Sequence, residues 1–404
     1  MLTEPVTAAR LAEAMRNHQA GQLAEAEDQY RALLAEFPDD ANVVHFLGVI
    51  RFQTGGSEEA VTLVKRSLEM DPDNAHAWNN LGNIYMHLQR GEEAEQAYRR
   101  AIALEPAAAP AWANLAQLAI RRSDPWQALT FLREATRARR GFTDALQALA
   151  FVYYRLGWEQ QSREVYQQWL EEDPENPIPR HMVAANSGPA TPSRANEGYI
   201  VKTFDEFAGH FDEKLKSLGY CAPQLAAASL IHHPLYQSGR AAVLDAGCGT
   251  GWCGPLLKST AEHLVGVDLS PNMLEQARAR GVYDELHEGE LTAFMSSRPA
   301  SFDIIVATDV LIYFGRLQEA FAAAQGALRS GGLFCFSVEA LVQPAPAQDY
   351  RLHMHGRYSH SRAYLERALA EAGFPRVQID SVVLRQELGA PVQGYVAVAR
   401  LCGA

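Results

Sequence analysis

The stretch AAVLDAGCGTGWCG, residues 241 to 254, decides the architecture of the second half of this chain. Its apolar start running into Asp245 predicts a short buried β-strand. Gly247, Gly249 and Gly251 then remove side chains where the backbone must turn and let a ligand come close. A helix is expected to follow. The next apolar run, HLVGVDLSPNML, carries Asp268, 17 residues past Gly251. A carboxylate at the tip of a second parallel strand can hold two ribose hydroxyls. Further on, DELHEGEL ends near Glu290 and Leu291, FDIIVATDV ends at Thr308 and Asp309, and LFCFSV follows GALRSGGL. This alternation predicts a doubly wound parallel sheet with ligands over the carboxyl ends of its strands.

Glycine spacing by itself leaves two readings open, because Gly249, Gly251 and Gly254 also satisfy the GxGxxG fingerprint of nicotinamide enzymes. Against that stand an acidic residue two places before the first glycine and two closing runs, VQIDSVVLRQE and PVQGYVAVARL, which read as a terminal antiparallel hairpin. A DxGxGxG loop, an acidic second strand and a final hairpin together resemble the class I S-adenosylmethionine-dependent methyltransferases, over roughly residues 200 to 401. The resemblance implies an α/β Rossmann-like domain that binds S-adenosyl-L-methionine. It implies that Asp245 contacts the methionine part through its amino group, while Gly247, Gly249 and Gly251 line it. Asp268 would hold the ribose, with Leu269 and Met273 near the adenine. Glu290, where the family more often has Asp, would sit with Leu291 near the adenine amino group, and Thr308 completes the cofactor set. Phe204, Phe207 and Phe211, at helical spacing, resemble an aromatic helix that closes over the cofactor, or form an amphipathic core.

Methyl transfer from a sulfonium is an in-line displacement, so a protein contributes mainly by placing the acceptor behind the methyl and excluding water. An amine or hydroxyl must also lose a proton. Candidates on the acceptor side are Asp309 and Tyr313 after the fourth strand, and Arg357 and His360 in the run DYRLHMHGRYSHS. Alternatively His360 and Ser361 introduce the helix SRAYLERALAEAGF. The segment ATDVLIYFG lacks the NPPY-like tetrad of amide and nucleobase amino methylation. The histidines at 353, 355 and 360 have no cysteine beside them, and no metal is expected.

The first half repeats itself. Pro38, Pro72, Pro106 and Pro174 fall on a 34-residue grid with Arg140 at the missing node. Trp78, Leu81, Gly82, Tyr85, Ala94, Tyr98, Ala101 and Pro106 occupy the positions of a tetratricopeptide repeat, and the resemblance extends to about five units. It implies an all-α superhelix of helix pairs in which each unit buries its face against a neighbour. WNNLGN and WANLAQ place Asn80 and Asn114 at the same site of adjacent units, where their amides could bracket a polypeptide backbone or merely face water.

Composition narrows the function. The 404 residues hold 36 Lys and Arg against 48 Asp and Glu, a net of -12. Residues 1 to 180 carry 18 basic and 26 acidic groups, hence -8. Neither half looks like a nucleic-acid binder. No run reaches the roughly 18 apolar residues of a membrane span. The first thirty residues, with Glu4, Glu13, Glu25, Glu27 and Asp28, do not read as a secretory signal, so a cytoplasmic location is expected. Five cysteines without a CxxC pair predict neither a disulfide framework nor a zinc site. The expected organisation is a repeat array over 1–176, a linker over 177–198 rich in Pro, Ser, Asn and Gly, and a methyltransferase domain over 199–404. The whole resembles bacterial proteins that fuse such an arm to a small methyltransferase, which implies an arm that recruits or orients a protein or peptide acceptor. The alternatives are a small-molecule acceptor with the arm used for dimerisation or docking, and a scaffold whose second domain only senses cofactor.

Overall fold

The computed structural model describes residues 5–185, 191–345, 348–387 and 389–402, and the chain divides into two compact units, Met1–Asp173 and Pro174–Ala404. The first unit is helical throughout its described part, in five pairs. These are α1 (Pro5–Gln19) with α2 (Leu23–Glu36), α3 (Ala41–Gln53) with α4 (Ser57–Met70), and α5 (Ala75–His87) with α6 (Gly91–Leu104). Then come α7 (Ala109–Arg121) with α8 (Pro125–Ala138), and α9 (Thr143–Arg155) with α10 (Glu159–Glu172).

The 34-residue grid has local causes. Asp40 and Asn74 each begin a first helix by accepting backbone N–H bonds, from Asn42 and Val43 at 3.0 and 3.1 Å and from Ala77 at 2.9 Å. Trp78 donates its indole N–H to the carbonyl of Pro72 at 2.9 Å, and Trp112 donates to Pro106 at 3.0 Å. Each tryptophan is thereby tied to the proline that ends the preceding unit. A Cβ on Gly82 would lie 2.4 Å from the Tyr98 ring, so only glycine permits that helix crossing. In the last pair Ser162 and Trp169 stand where alanine is usual, and both are buried, Ser162 donating to the Ala150 carbonyl at 2.8 Å.

The second unit opens with α11 (Pro177–Ala184), α12 (Glu197–Phe207), α13 (Phe211–Ser217), α14 (Ala222–Leu230) and α15 (Pro234–Gln237). The α/β alternation follows as β1 (Ala241–Ala246), α16 (Gly254–Lys258), β2 (Ala261–Asp268), α17 (Pro271–Ala279), β3 (Glu285–Glu288) and α18 (Leu291–Ser296). It continues with β4 (Phe302–Ala307), α19 (Gln318–Ala327), β5 (Leu328–Ala340), β6 (Tyr350–Leu352), β7 (Tyr358–His360), α20 (Arg362–Glu371), β8 (Arg376–Glu387) and β9 (Ala390–Arg400). Strands β3, β2, β1, β4 and β5 lie side by side in that order and are parallel. The far edge of β5 is shared. Residues 333–339 pair antiparallel with β9, itself paired with β8, while Glu339 and Ala340 pair parallel with β7. Apolar side chains cover both faces, Phe321, Phe334, Phe336 and Phe374 on one and Val243, Leu264, Ile304 and Cys335 on the other.

The stretch 177–198, expected as a linker whose RHMVAA core could pack as a short helix, contains α11, which belongs to the second unit. Asn176 caps it by accepting from the Ile178 N–H at 3.1 Å, and Ile178, His181 and Met182 are buried. His181 stacks on Tyr199 with ring centroids 4.0 Å apart and donates to the Gly356 carbonyl at 2.9 Å. Residues 186–190 of that stretch lie outside the described ones. The run DYRLHMHGRYSHS forms the hairpin β6–β7, with its second strand buried.

Candidate functional site

The glycine loop leaves β1 with three left-handed residues, φ being +74° at Gly247, +54° at Gly249 and +85° at Gly251. Only glycine adopts that sequence of dihedrals without strain. A Cβ at Gly247 would meet Val310 at 2.4 Å, whereas one at Gly249 would meet nothing within 4 Å. That open side belongs to a cavity of about 360 Å³ over the carboxyl ends of β1, β2 and β4. Asp268 ends β2 and closes the loop: its Oδ2 accepts from the Gly249 N–H at 2.8 Å and its Oδ1 from the Ser270 N–H at 2.9 Å. Burial pushes its carboxyl pKa upward against those two bonds.

Asp245 is 1% exposed. One oxygen accepts from the Tyr283 hydroxyl at 2.6 Å, and the other, Oδ1, has no hydrogen-bond partner among the described residues. Burial, opposed by the Tyr283 bond and reinforced by the charge of Asp268, pushes its pKa up to about 7. A buried carboxyl with one empty oxygen is the arrangement a cationic ligand would complete.

Leu269, Met273, Glu290, Leu291 and Thr308 line the same cavity. Glu290 caps α18, accepting from the Ala293 N–H at 2.8 Å, and its other oxygen lies 3.4 Å from Arg194. Phe204, Phe207 and Phe211 form an aromatic wall. Two carboxylates of the same segment, not foreseen from the sequence, fasten that wall to the loops after β1 and β2 and to Arg280. Asp205 accepts from the Ser270 hydroxyl; Asp212 accepts from the Thr250 hydroxyl at 2.6 Å and pairs with Arg280. Their alternation with the phenylalanines is the signal that could have found them.

Of the acceptor-side candidates, Asp309, Tyr313 and Arg357 come together on the cavity lining. Tyr313 meets Phe204 edge to face at 5.6 Å, and burial pushes its hydroxyl pKa upward. Asp309 has φ +50°, accepts from the Ser337 hydroxyl at 2.9 Å, and pairs with Arg385 at 2.8 Å. Arg357 bonds Glu339 at 2.7 Å and Glu387 at 2.6 Å, while Arg385 also bonds Glu339 and lies 3.4 Å from Glu387. Burial alone would raise the Glu339 pKa, but the guanidiniums, Arg357 above all and then Arg385, hold it down at about 2. His360 is elsewhere. It is fully buried, off the cavity lining, and its Nε2 donates to the Phe314 carbonyl at 2.8 Å, with the Gly315 carbonyl at 3.2 Å. Its pKa falls to about 4 through burial, against those carbonyls, so it is a neutral prop beneath the Phe314 turn. The helix start is Ser361, which caps α20.

Comparison with known proteins accords with this geometry. A model of a methyltransferase domain matches residues 244–336, and a model of the cytochrome c-type biogenesis protein H TPR domain matches residues 62–177. Methyltransferase-like protein 27 of Homo sapiens is 39% identical over 84 residues, 20% of this chain and 34% of that protein. A probable S-adenosylmethionine-dependent methyltransferase of Mycolicibacterium smegmatis is 28% identical over 132 residues, 33% of this chain and 51% of its own. Malonyl-[acyl-carrier protein] O-methyltransferase of Erwinia billingiae is 27% identical over 197 residues, 45% of this chain and 76% of that protein. The chain thus spans about a third and about half of the first two relatives.

The chain therefore carries a tetratricopeptide-type repeat domain and a methyltransferase domain. The cofactor of that class is S-adenosyl-L-methionine, and the residues present fit it. The cavity volume is within the ordinary range of small-ligand sites. The orphaned Asp245 oxygen suits an ammonium, and Cβ-free space at Gly249 and Gly289 gives room against the backbone.

Proposed function

We propose that this protein methylates an acceptor at the cavity of its second unit, and that the repeat arm recruits or orients a protein or peptide for that purpose. The observation that carries the reading is the cavity itself, which joins a glycine loop and the buried carboxylate of Asp268 at one end to an ion-paired, aromatic end that contains Tyr313; Asp245, two residues before that loop, is buried and off the lining. The bound cofactor supplies an electrophilic methyl on a sulfonium. Asp245 receives its ammonium and Asp268 its ribose, and Phe204, Phe207 and Phe211 exclude water from the reacting centre. Tyr313 stands at the acceptor end, where its hydroxyl orients the acceptor, and Arg357 and Asp309 hold the floor beneath it. His360 acts only through the turn it supports.

The test is labelled cofactor incubated with host lysate, then separation of labelled macromolecules from labelled metabolites. Label in protein supports the recruiting arm; label in metabolites alone overturns it. Tyr313→Phe should lower turnover at least tenfold, about 1.4 kcal/mol in the barrier, with cofactor affinity unchanged. Full turnover in that variant would remove Tyr313 from the reaction. A second reading, a carboxylate acceptor, is favoured by the name of the Erwinia billingiae relative.

A further inference from the structure

We propose that the acceptor group is an alkylammonium, received by the carboxylates at the polar end of the cavity and methylated on nitrogen. This rests on the methyltransferase reading above and names its substrate class.

The inference begins with a charge count. Three carboxylates, Asp309, Glu339 and Glu387, enclose two guanidiniums, Arg357 and Arg385. His355, 3.7 Å from Glu339, adds no cation, since burial and the neighbouring Arg357 bring its pKa down to about 3. With Asp309 ionised against Arg385, although burial pushes its carboxyl pKa upward, the cluster carries one formal negative charge in excess; Glu339 lies off the lining, on which Asp309 and Glu387 stand beside the two guanidiniums. Arg385 is engaged by all three carboxylates and Arg357 by two, through Nε and Nη2. The other cations of the lining are Arg194, paired with Glu197 and Glu290, and Lys214, which is exposed. A spare acceptor oxygen does exist. Glu387 lines the cavity and uses only Oε2 for Arg357 and Arg385, and among the described residues its Oε1 accepts no hydrogen bond. A group entering here meets net negative potential in a partly desolvated setting, where opposite charge is favoured and like charge costs several-fold more than in water.

The route to that end is apolar. Phe204, Phe207, Phe211, Leu215 and Leu218 line it, and Phe207 stays 49% exposed although it borders the cavity. Such a passage suits an aliphatic stem with a charged tip, the shape of a lysine side chain or of a free alkylamine. The reaction balances without a further reagent. The ammonium loses a proton to solvent water, its freed lone pair forms the N–C bond, and the C–S bond breaks with its electron pair remaining on sulfur. The products are a methylammonium and a neutral thioether.

The experiment uses the full chain and calorimetry. S-adenosylhomocysteine is titrated first, then n-pentylamine, sodium pentanoate and Nα-acetyl-lysine methylamide are each titrated into the saturated protein. The amine and the lysine amide are expected to bind at least about tenfold more tightly than the carboxylate, a factor of 10 being 1.4 kcal/mol. The lysine amide exceeding pentylamine assigns a polypeptide source, and the reverse order a free amine. Glu387→Gln should weaken the amine about tenfold while S-adenosylhomocysteine affinity stays within twofold. Pentanoate binding as tightly as pentylamine on the unaltered chain overturns the proposal, and that comparison depends on no variant folding. Failure of S-adenosylhomocysteine to bind overturns the methyltransferase reading and this proposal together, whereas its binding with carboxylate preference overturns the amine alone.

Discussion

Asp245 concentrates the electrostatics of the cofactor end. An aspartate in the unfolded chain titrates near about 4, and in the fold burial moves this one to about 7. Between those values the folded chain holds a proton that the unfolded chain has released, so this group's effect on stability is most favourable below about 4 and declines as pH rises to 7. A cationic ligand reverses the preference, because an ammonium against Oδ1 favours the ionised carboxyl. Binding near pH 6 should therefore expel close to one proton, measurable by calorimetry in two buffers of different ionisation enthalpy. Affinity should rise by up to tenfold per unit as pH increases from about 5 to 7, then level off. Asp245→Asn should bind weakly with no slope, while melting at higher temperature than the parent at pH 8. A flat pH dependence in the unaltered chain would falsify the ammonium contact.

At the scale of elements, the loop after β1 separates folding from binding. Gly247 and Gly249 both have positive φ, yet the Cβ of alanine at 247 collides with Val310, whereas at 249 it enters the open cavity. Gly247→Ala should cost more stability, on the order of 1 to 3 kcal/mol from overpacking plus strain, and lower the melting temperature accordingly. Gly249→Ala should melt closer to the parent but lose most cofactor affinity. Equal melting and equal affinity in the two variants would remove the distinction. This loop was legible in the sequence because everything that shapes it lies within a few residues: an apolar strand, an acid, three glycines and a helix. The ion network was not. Asp309, Glu339, Arg357 and the pair Arg385 and Glu387 on β8 come from four separate places, and only the shared edge of β5, with β9 and β8 below and β7 above, brings them together. The charged Glu339 directly after the buried run LFCFSV of β5 was the available signal. His360 misled for the same reason, since a histidine three places from an arginine in a polar run reads as exposed until β7 is found buried between β5 and β6. The aromatic helix was recognisable by spacing, but the acids that fasten it show their purpose only through Ser270, Thr250 and Arg280.

For the whole molecule, the question is what the arm adds to a unit that has its own cores and its own cavity. A fragment covering 174–404 retains α11, whose His181 and Met182 pack against Tyr199 and Gly356, and should fold and bind S-adenosylhomocysteine as the full chain does. Recruitment is a binding contribution, so loss of the arm should raise the Michaelis constant for a polypeptide acceptor while turnover at saturation survives. The same split is expected of Asn80→Ala with Asn114→Ala in the full chain, although the row is already engaged internally. Asn80 bonds His45 at 3.0 Å, and Asn114 donates to Asn79 and Asn83 at 3.0 and 2.8 Å. An amide that bonds its neighbours still has capacity for a peptide, since each carries two donors and two acceptor sites. The surplus of eight negative charges over residues 1–180 favours a neutral or basic polypeptide, and raised salt should slow its capture. Kinetics of the fragment, the double variant and the full chain against one labelled acceptor at low and high salt decide the matter. An unchanged Michaelis constant in the fragment moves the acceptor to the small amines and leaves the arm to another partner.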